Sequence, residues 1–331
     1  FLENYSDEQK EEIRAWVVPS IAFTPSEVQV VSKNELREEH SPEEESKNWQ
    51  IHKQWISDGP YSLPPNAIAS ISDSTREICT AINASGSTKK YGLVVGYVQS
   101  GKTANYTALI SRAVDMGYTF IVILSGLLND LREQTQTRLM RDLMGDPNQT
   151  LEYTEVECID TTEMTGFIQV TSMESDFKGY IAEQLPSLVD SQKQQGKPIL
   201  AVMKKNVLIL EHLLDGLKRV GPKALASQKL LIIDDEADHA TINTGGEGDE
   251  FADDNFSDGS DDEDDHDKNT DPTRTNRRIR QIIKCFEDST YIGYTATPFA
   301  NVLINKDIDD PIYGQSLYPR DSIISLPEPK G

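Results

Sequence analysis

YGLVVGYVQSGKTANYT, Tyr91 to Thr107, is the stretch whose reading decides the fold. Three apolar residues, Leu93, Val94 and Val95, run into Gly96-Tyr-Val-Gln-Ser-Gly101-Lys102-Thr103 and then into a helical pattern. The spacing is G-x-x-x-x-G-K-[ST], a phosphate-binding loop between a strand and a helix. Its chemistry explains its composition. Gly96 and Gly101 let the backbone curl so that successive N–H groups, through Gln99 and Ser100, point at phosphate oxygens. The helix N-terminus adds partial positive charge. In such a loop Lys102 reaches the β- and γ-phosphates of ATP and the Thr103 hydroxyl ligates Mg²⁺. A glycine-rich turn that fits by chance is the competing reading, and the flanking strand and helix argue against it.

Outward from the loop, strand and helix alternate. Residues 68–82 carry a one-sided stripe (Ile68, Ile71, Thr75, Ile78, Ile82) that predicts a helix leading into the loop. After it come a helix over 104–116, a strand over 120–124 and a helix over 128–144. Residues 146–170 are mixed. Further on, the pattern predicts a helix over 173–195, a strand over 199–203, a helix over 207–220, a strand over 230–233, a basic helix over 273–286 and a strand over 291–294. Short apolar strands separated by helices imply an α/β fold, a central parallel sheet with helices on both faces. Ligands of such sheets bind beyond the carboxyl ends of the strands, where the loop lies.

Two further strand ends complete a triphosphatase pattern. Leu230-Leu-Ile-Ile-Asp234-Asp235-Glu236-Ala237-Asp238 is a buried strand delivering carboxylates to its C-terminal end. Asp235 is the expected metal carboxylate and Glu236 the residue that orients the attacking water. Asp234 leaves the register open by one residue. Tyr291-Ile-Gly-Tyr-Thr295-Ala296-Thr297-Pro298 ends in two hydroxyls, which can bond the DEAD carboxylates and sense the γ-phosphate; a strand and proline turn is the alternative.

GYVQSGKT, DEAD and TAT together resemble motifs I, II and III of superfamily two helicases. The resemblance implies a RecA-like first ATPase lobe with ATP and Mg²⁺ as cofactors. In that family the segment after the next strand meets the nucleic-acid backbone. Here it contains Arg132, Gln134, Thr135 and Arg138, which could pair with phosphate and sugar, or simply face solvent. A closer resemblance joins VVGYVQSGKT, LSGLLNDLREQTQTRL, Lys204-Lys205-Asn206, IDDEADHATINT and YIGYTATPFANVLI to the Z-1 domain family. Those are large bacterial ATPase-like proteins labelled as endonucleases and associated with restriction or phage defence. The similarity spans 91–331, with a gap at the acidic insert 245–272, and implies DNA and defence-system proteins as partners, but no established reaction. No nuclease constellation accompanies it. Only 33 residues follow Pro298, too few for a second lobe with an arginine finger; Arg274, Arg277, Arg278 and Arg280 read as a helix face.

Composition sets the bounds. A formal charge of −23 argues against broad electrostatic adhesion to nucleic acid, so any such surface is a confined stripe or lies elsewhere. Thirteen acidic residues and one lysine crowd Gly245 to Asp271, making 245–272 a low-complexity insert after the DEAD motif. Residues 1–90 read as a mainly helical extension. It opens on a capping box at Ser6–Gln9, has a charged run over 33–53, and carries Trp49 and Trp55 to dock it on the 91–331 lobe. No apolar run nears 18 residues, so no membrane span is expected. Cys79, Cys158 and Cys285 have no zinc or disulfide spacing, which fits a reducing cytoplasmic setting. Phe1 at the start suggests a piece of a longer protein, whose remainder is the nearest partner.

Overall fold

A computed structural model describes residues 29–32, 46–59, 61–97, 101–144, 166–239 and 272–327. Its main sheet has eight strands. In chain order they are β1 (Gln29–Ser32), β2 (Lys89–Val95), β3 (Phe120–Ser125), β4 (Ile168–Gln169), β5 (Ile199–Lys204), β6 (Lys229–Asp235) and β7 (Asp288–Thr295), with the eighth, β10, near the end of the chain at Ser322–Ser325. β8 (Asp309–Asp310) and β9 (Gly314–Gln315) form a separate small hairpin. The spatial order is β1-β10-β2-β7-β6-β3-β5-β4. Seven strands run parallel, and β1 pairs antiparallel with β10 at one edge. This is the α/β arrangement that the alternating pattern implied, and it is consistent with the RecA-like lobe that the resemblance implied.

The central strands read as unbroken apolar runs because both faces are covered. Successive side chains point to opposite faces. Phe120, Val122, Leu124, Ile199, Ala201, Met203, Leu230 and Ile232 pack on α5 (Gly179–Gln195), α6 (Val207–Val220) and α8 (Pro272–Lys284). Ile121, Ile123, Leu200, Val202, Leu231 and Ile233 pack on α2 (Pro65–Ala84), α3 (Lys102–Asp115) and α4 (Asn129–Met144). Two short helices, α7 (Pro222–Leu225) and α9 (Phe299–Val302), serve as connectors.

The predicted stripe of α2 is buried at all five positions, and α6 spans the predicted residues. Asn206 caps α6, its side chain accepting from the N–H groups of Leu208 and Ile209. The helix expected over 173–195 starts later, at Gly179. The turn before it is fixed instead by Asp176, whose carboxylate accepts from the N–H of Phe177 and of Lys204.

The tryptophan expectation holds for Trp49. Asp115, in the last turn of α3, caps α1 (Lys47–Asp58): it accepts from Ser46 Oγ at 2.7 Å and from the N–H groups of Asn48 and Trp49. Trp49 is fully buried, with the guanidinium of Arg112 stacked 4.4 Å from its ring. Arg112 is itself buried and donates to Thr75 Oγ1 at 3.0 Å, which ties α1, α2 and α3 together. Ser6–Gln9, the charged run before residue 46 and the acidic insert as far as residue 271 lie outside the described residues.

Candidate nucleotide-binding site

Register gathers the three motifs. Val95 pairs with Thr295, and Tyr294 with Asp235, so the ends of β2, β7 and β6 lie level. At one interstrand spacing per step, the loop after β2 begins about 10 Å from the acidic end of β6. Both loops continue the ladder onto β7: Gly96 N–H donates to Thr295 O, and Ala237 N–H to Tyr294 O, each at 2.9 Å. Gly293 makes that approach possible. A Cβ there would sit 2.9 Å from Ala237 Cβ and 3.2 Å from Leu93 Cδ1.

Gly101 has φ +79°, a left-handed conformation that favours glycine, immediately before the first residue of α3. Lys102 opens that helix and turns back into the loop, its ammonium 3.4 Å from Gly96 O and 3.3 Å from Tyr97 O. Thr103 follows in the first turn. Gln99 and Ser100 lie outside the described residues.

The acidic strand end sorts its carboxylates by alternation. Asp234 is fully buried on the α6 face, between Lys205 Nζ at 2.7 Å and the Tyr291 hydroxyl at 2.6 Å. Asp235 points to the opposite face, where the Tyr106 hydroxyl donates to it at 3.3 Å. Alternation thus puts Asp234 inside, with Lys205 and Tyr291, and Asp235 on the side of Tyr106. Burial raises the pKa of Asp235 and the neighbouring Glu236 carboxylate adds to this; Lys205, Lys102 and the Tyr106 bond oppose them. A carboxylate so placed is stabilised by added positive charge.

Glu236 has φ +55°, alone in positive φ among the described non-glycine residues. The chain turns sharply there, and Glu236 leaves the sheet with its side chain 48% exposed. The Asp238 carboxylate accepts from Thr295 Oγ1 at 2.7 Å and from Thr297 Oγ1. Burial alone would raise its pKa, but those hydroxyls, its own N–H and nearby His239 outweigh it and the net shift is downward. Thr295 and Thr297 thus join motif III to the last acid of DEAD. His239 lies 3.6 Å from Glu236 Oε2 and 3.5 Å from Asp238 Oδ2.

Among the described residues no three metal-ligating side chains cluster. One carboxylate, Asp235, with one hydroxyl, Thr103, is a donor set suited to Mg²⁺ carried mainly by phosphate oxygens.

The expected nucleic-acid residues divide. Arg132 is a correction: it is buried, and its guanidinium donates to Ser172 O at 2.7 Å and Met173 O at 2.6 Å, with Asp176 3.7 Å away. It fastens α4 to the turn before α5 and has no face left for phosphate. Thr135 is half-buried and donates to Leu131 O within its own helix. Gln134 is exposed, and Arg138 is partly exposed beside Asp142 at 3.8 Å. All four α8 arginines have partners inside the fold, Arg274 lying 3.8 Å from Glu211 Oε1. Arg278 bonds Glu211, Arg277 lies over the Tyr313 ring, and Arg280 donates to Gly314 O and Gln315 O.

Two residues went unassigned in the sequence, Tyr106 and Lys205. Tyr106 is one helical turn after Thr103, a spacing that puts both on one face of α3. Lys205 stood in the Lys204-Lys205-Asn206 stretch without a role, since its partners lie some thirty residues onward.

The family pattern described as type III restriction enzyme, res subunit, matches residues 65–300, from the start of α2 into α9. No curated protein matches the chain. All three motifs fall inside the matched span, which covers well over half of the sequence, and the chain belongs to the type III restriction enzyme res subunit family, a superfamily two helicase-like family.

Proposed function

We propose that the chain binds ATP with Mg²⁺ between the loop after β2 and the acidic turn after β6. It hydrolyses that ATP as the first lobe of a Z-1-type protein acting on DNA in a bacterial restriction or defence system. The observation that carries this reading is the level ending of β2, β7 and β6, with Gly96 and Ala237 both bonded to β7.

Each residue then has a role. Lys102, already inside the loop, exchanges the carbonyls of Gly96 and Tyr97 for phosphate oxygens. The N–H groups from Tyr97 to Thr103, including those of Gln99, Ser100 and Gly101, line the phosphates, while Gly96, its own N–H held by Thr295 O, starts the curl. Bound Mg²⁺ supplies neutralisation of phosphate charge, with Thr103 and Asp235 as its protein ligands. Glu236 orients the attacking water and accepts its proton. Thr295 and Thr297, anchored on Asp238, relay the state of the acidic turn to β7 and the segment beyond it. Gln134 and Arg138 remain the candidates for a confined DNA contact. Residues 91–331 carry the ATPase motifs, and from the preceding 1–90 segment β1 and α2 pack into the same lobe, in a cytoplasmic protein.

The test is ATP turnover by the full chain with and without DNA. DNA-stimulated hydrolysis that disappears in Lys102→Ala and Glu236→Gln is expected; turnover unchanged by Glu236→Gln contradicts the assignment. A second reading is favoured by the charge of −23 and by the internal use of Arg132, Arg278 and Arg280. ATP binding would then order the domain for a protein partner, without DNA. Tight ATP binding with no DNA-stimulated turnover selects it.

A further inference from the structure

Lys205 follows β5, two strands away from β6, yet its fully buried side chain ends at the acidic turn. Its Nζ lies 2.7 Å from Asp234 Oδ1 and donates to Glu236 O at 2.6 Å and His239 O at 3.2 Å. Of the three ammonium protons, two go to main-chain carbonyls, and the Asp234 carboxylate lies beside the group as an ion pair. Only the carboxylate is a charge. The two carbonyls stand at the two ends of the turn that holds Glu236 at φ +55°.

A buried ion pair alone is weak evidence of a stabilising role, because desolvation offsets the attraction. The carbonyl contacts give Lys205 a different task. We propose that Lys205 is a positioning residue. It clamps both ends of the 236–239 turn and thereby sets the direction in which Glu236 presents its carboxylate. This rests on the hydrolytic reading of the site.

The experiment compares Lys205→Met, the paired Lys205→Met/Asp234→Asn and Lys205→Arg in the full chain. It follows thermal unfolding, equilibrium binding of MgATP and kcat for ATP hydrolysis. Lys205→Met leaves Asp234 charged and unpaired, so it melts early. The paired variant removes both charges and recovers most of that loss, though the carbonyls of Glu236 and His239 still lack their donor, with Tyr291 still bonded to residue 234. Lys205→Arg keeps the charge, but its planar fork cannot serve both carbonyls. In the paired variant and in Lys205→Arg, MgATP affinity stays within about threefold, because the phosphate loop is untouched. In both, kcat falls roughly 100-fold, the size expected when a reacting group is misaligned by about 1 Å. Wild-type kcat in either variant overturns the inference and leaves the hydrolytic reading standing. A wild-type chain that hydrolyses no ATP overturns both.

Discussion

Glu236 stores backbone strain, and replacing it with glycine and with alanine measures how much. The side chain is lost in both variants, including its approach to His239 at 3.6 Å, so the difference between them isolates the backbone. At φ +55° a residue with a Cβ costs roughly 1–2 kcal/mol relative to glycine. Glycine gives back about 0.5–1 kcal/mol through the greater freedom of its unfolded chain. Glu236→Gly should therefore exceed Glu236→Ala in stability by about 1 kcal/mol, or about 1–2 °C in Tm for a chain of this size. Urea unfolding followed by tryptophan fluorescence reads the difference, with Trp49 buried under Arg112 as an internal probe. Neither variant should hydrolyse ATP, so the more stable protein is an inactive one. Equal stability of the two variants, or a more stable alanine variant, would refute the strained turn.

Other expectations follow from single contacts. Gly293→Val places a side chain against Ala237 and Leu93; overpacking there should cost about 1–3 kcal/mol and displace the acidic turn, lowering both Tm and turnover. Arg132→Ala should destabilise by about 3 kcal/mol, because Asp176 and two carbonyls lose their partner, whereas Gln134→Ala should leave Tm unchanged. Equal Tm for the two variants contradicts a structural Arg132. Burial holds the pKa of His52 below the ordinary 6.5, against the bond to Asp142 O and the charge of Asp142. The unfolded chain takes up that proton first, so stability is full above 6.5 and is lost as pH falls through the window below it. His52→Gln should flatten the urea midpoint between pH 7.5 and 5 if it folds as wild type does.

Local patterns carried most of the fold. The stripe of α2, the bounds of α6 and the apolar runs of β3, β5 and β6 follow from periodicity and burial on both faces. β10 was not legible. Ser322-Ile-Ile-Ser325 is four residues long, and it becomes a strand by pairing in parallel with β2, some 230 residues earlier. Long-range pairing leaves no periodic trace in so short a run. The site divides in the same way. Spacing identified Lys102, Thr103, Asp235 and Glu236 as candidates. Which aspartate faces the loop depends on Tyr291, Lys205 and Tyr106, each from a different element. Arg132 misled for a related reason, because an arginine in a polar helix looks solvent-facing until its carbonyl partners are seen.

The central claim is that a triphosphate sits between Lys102 and the Asp235–Glu236 pair. Equilibrium binding of MgATP to the wild-type protein, Lys102→Ala and Glu236→Gln tests it most directly. Binding should be lost in Lys102→Ala and retained in Glu236→Gln, since only the lysine holds phosphate in the ground state. Undiminished MgATP binding by Lys102→Ala would contradict it.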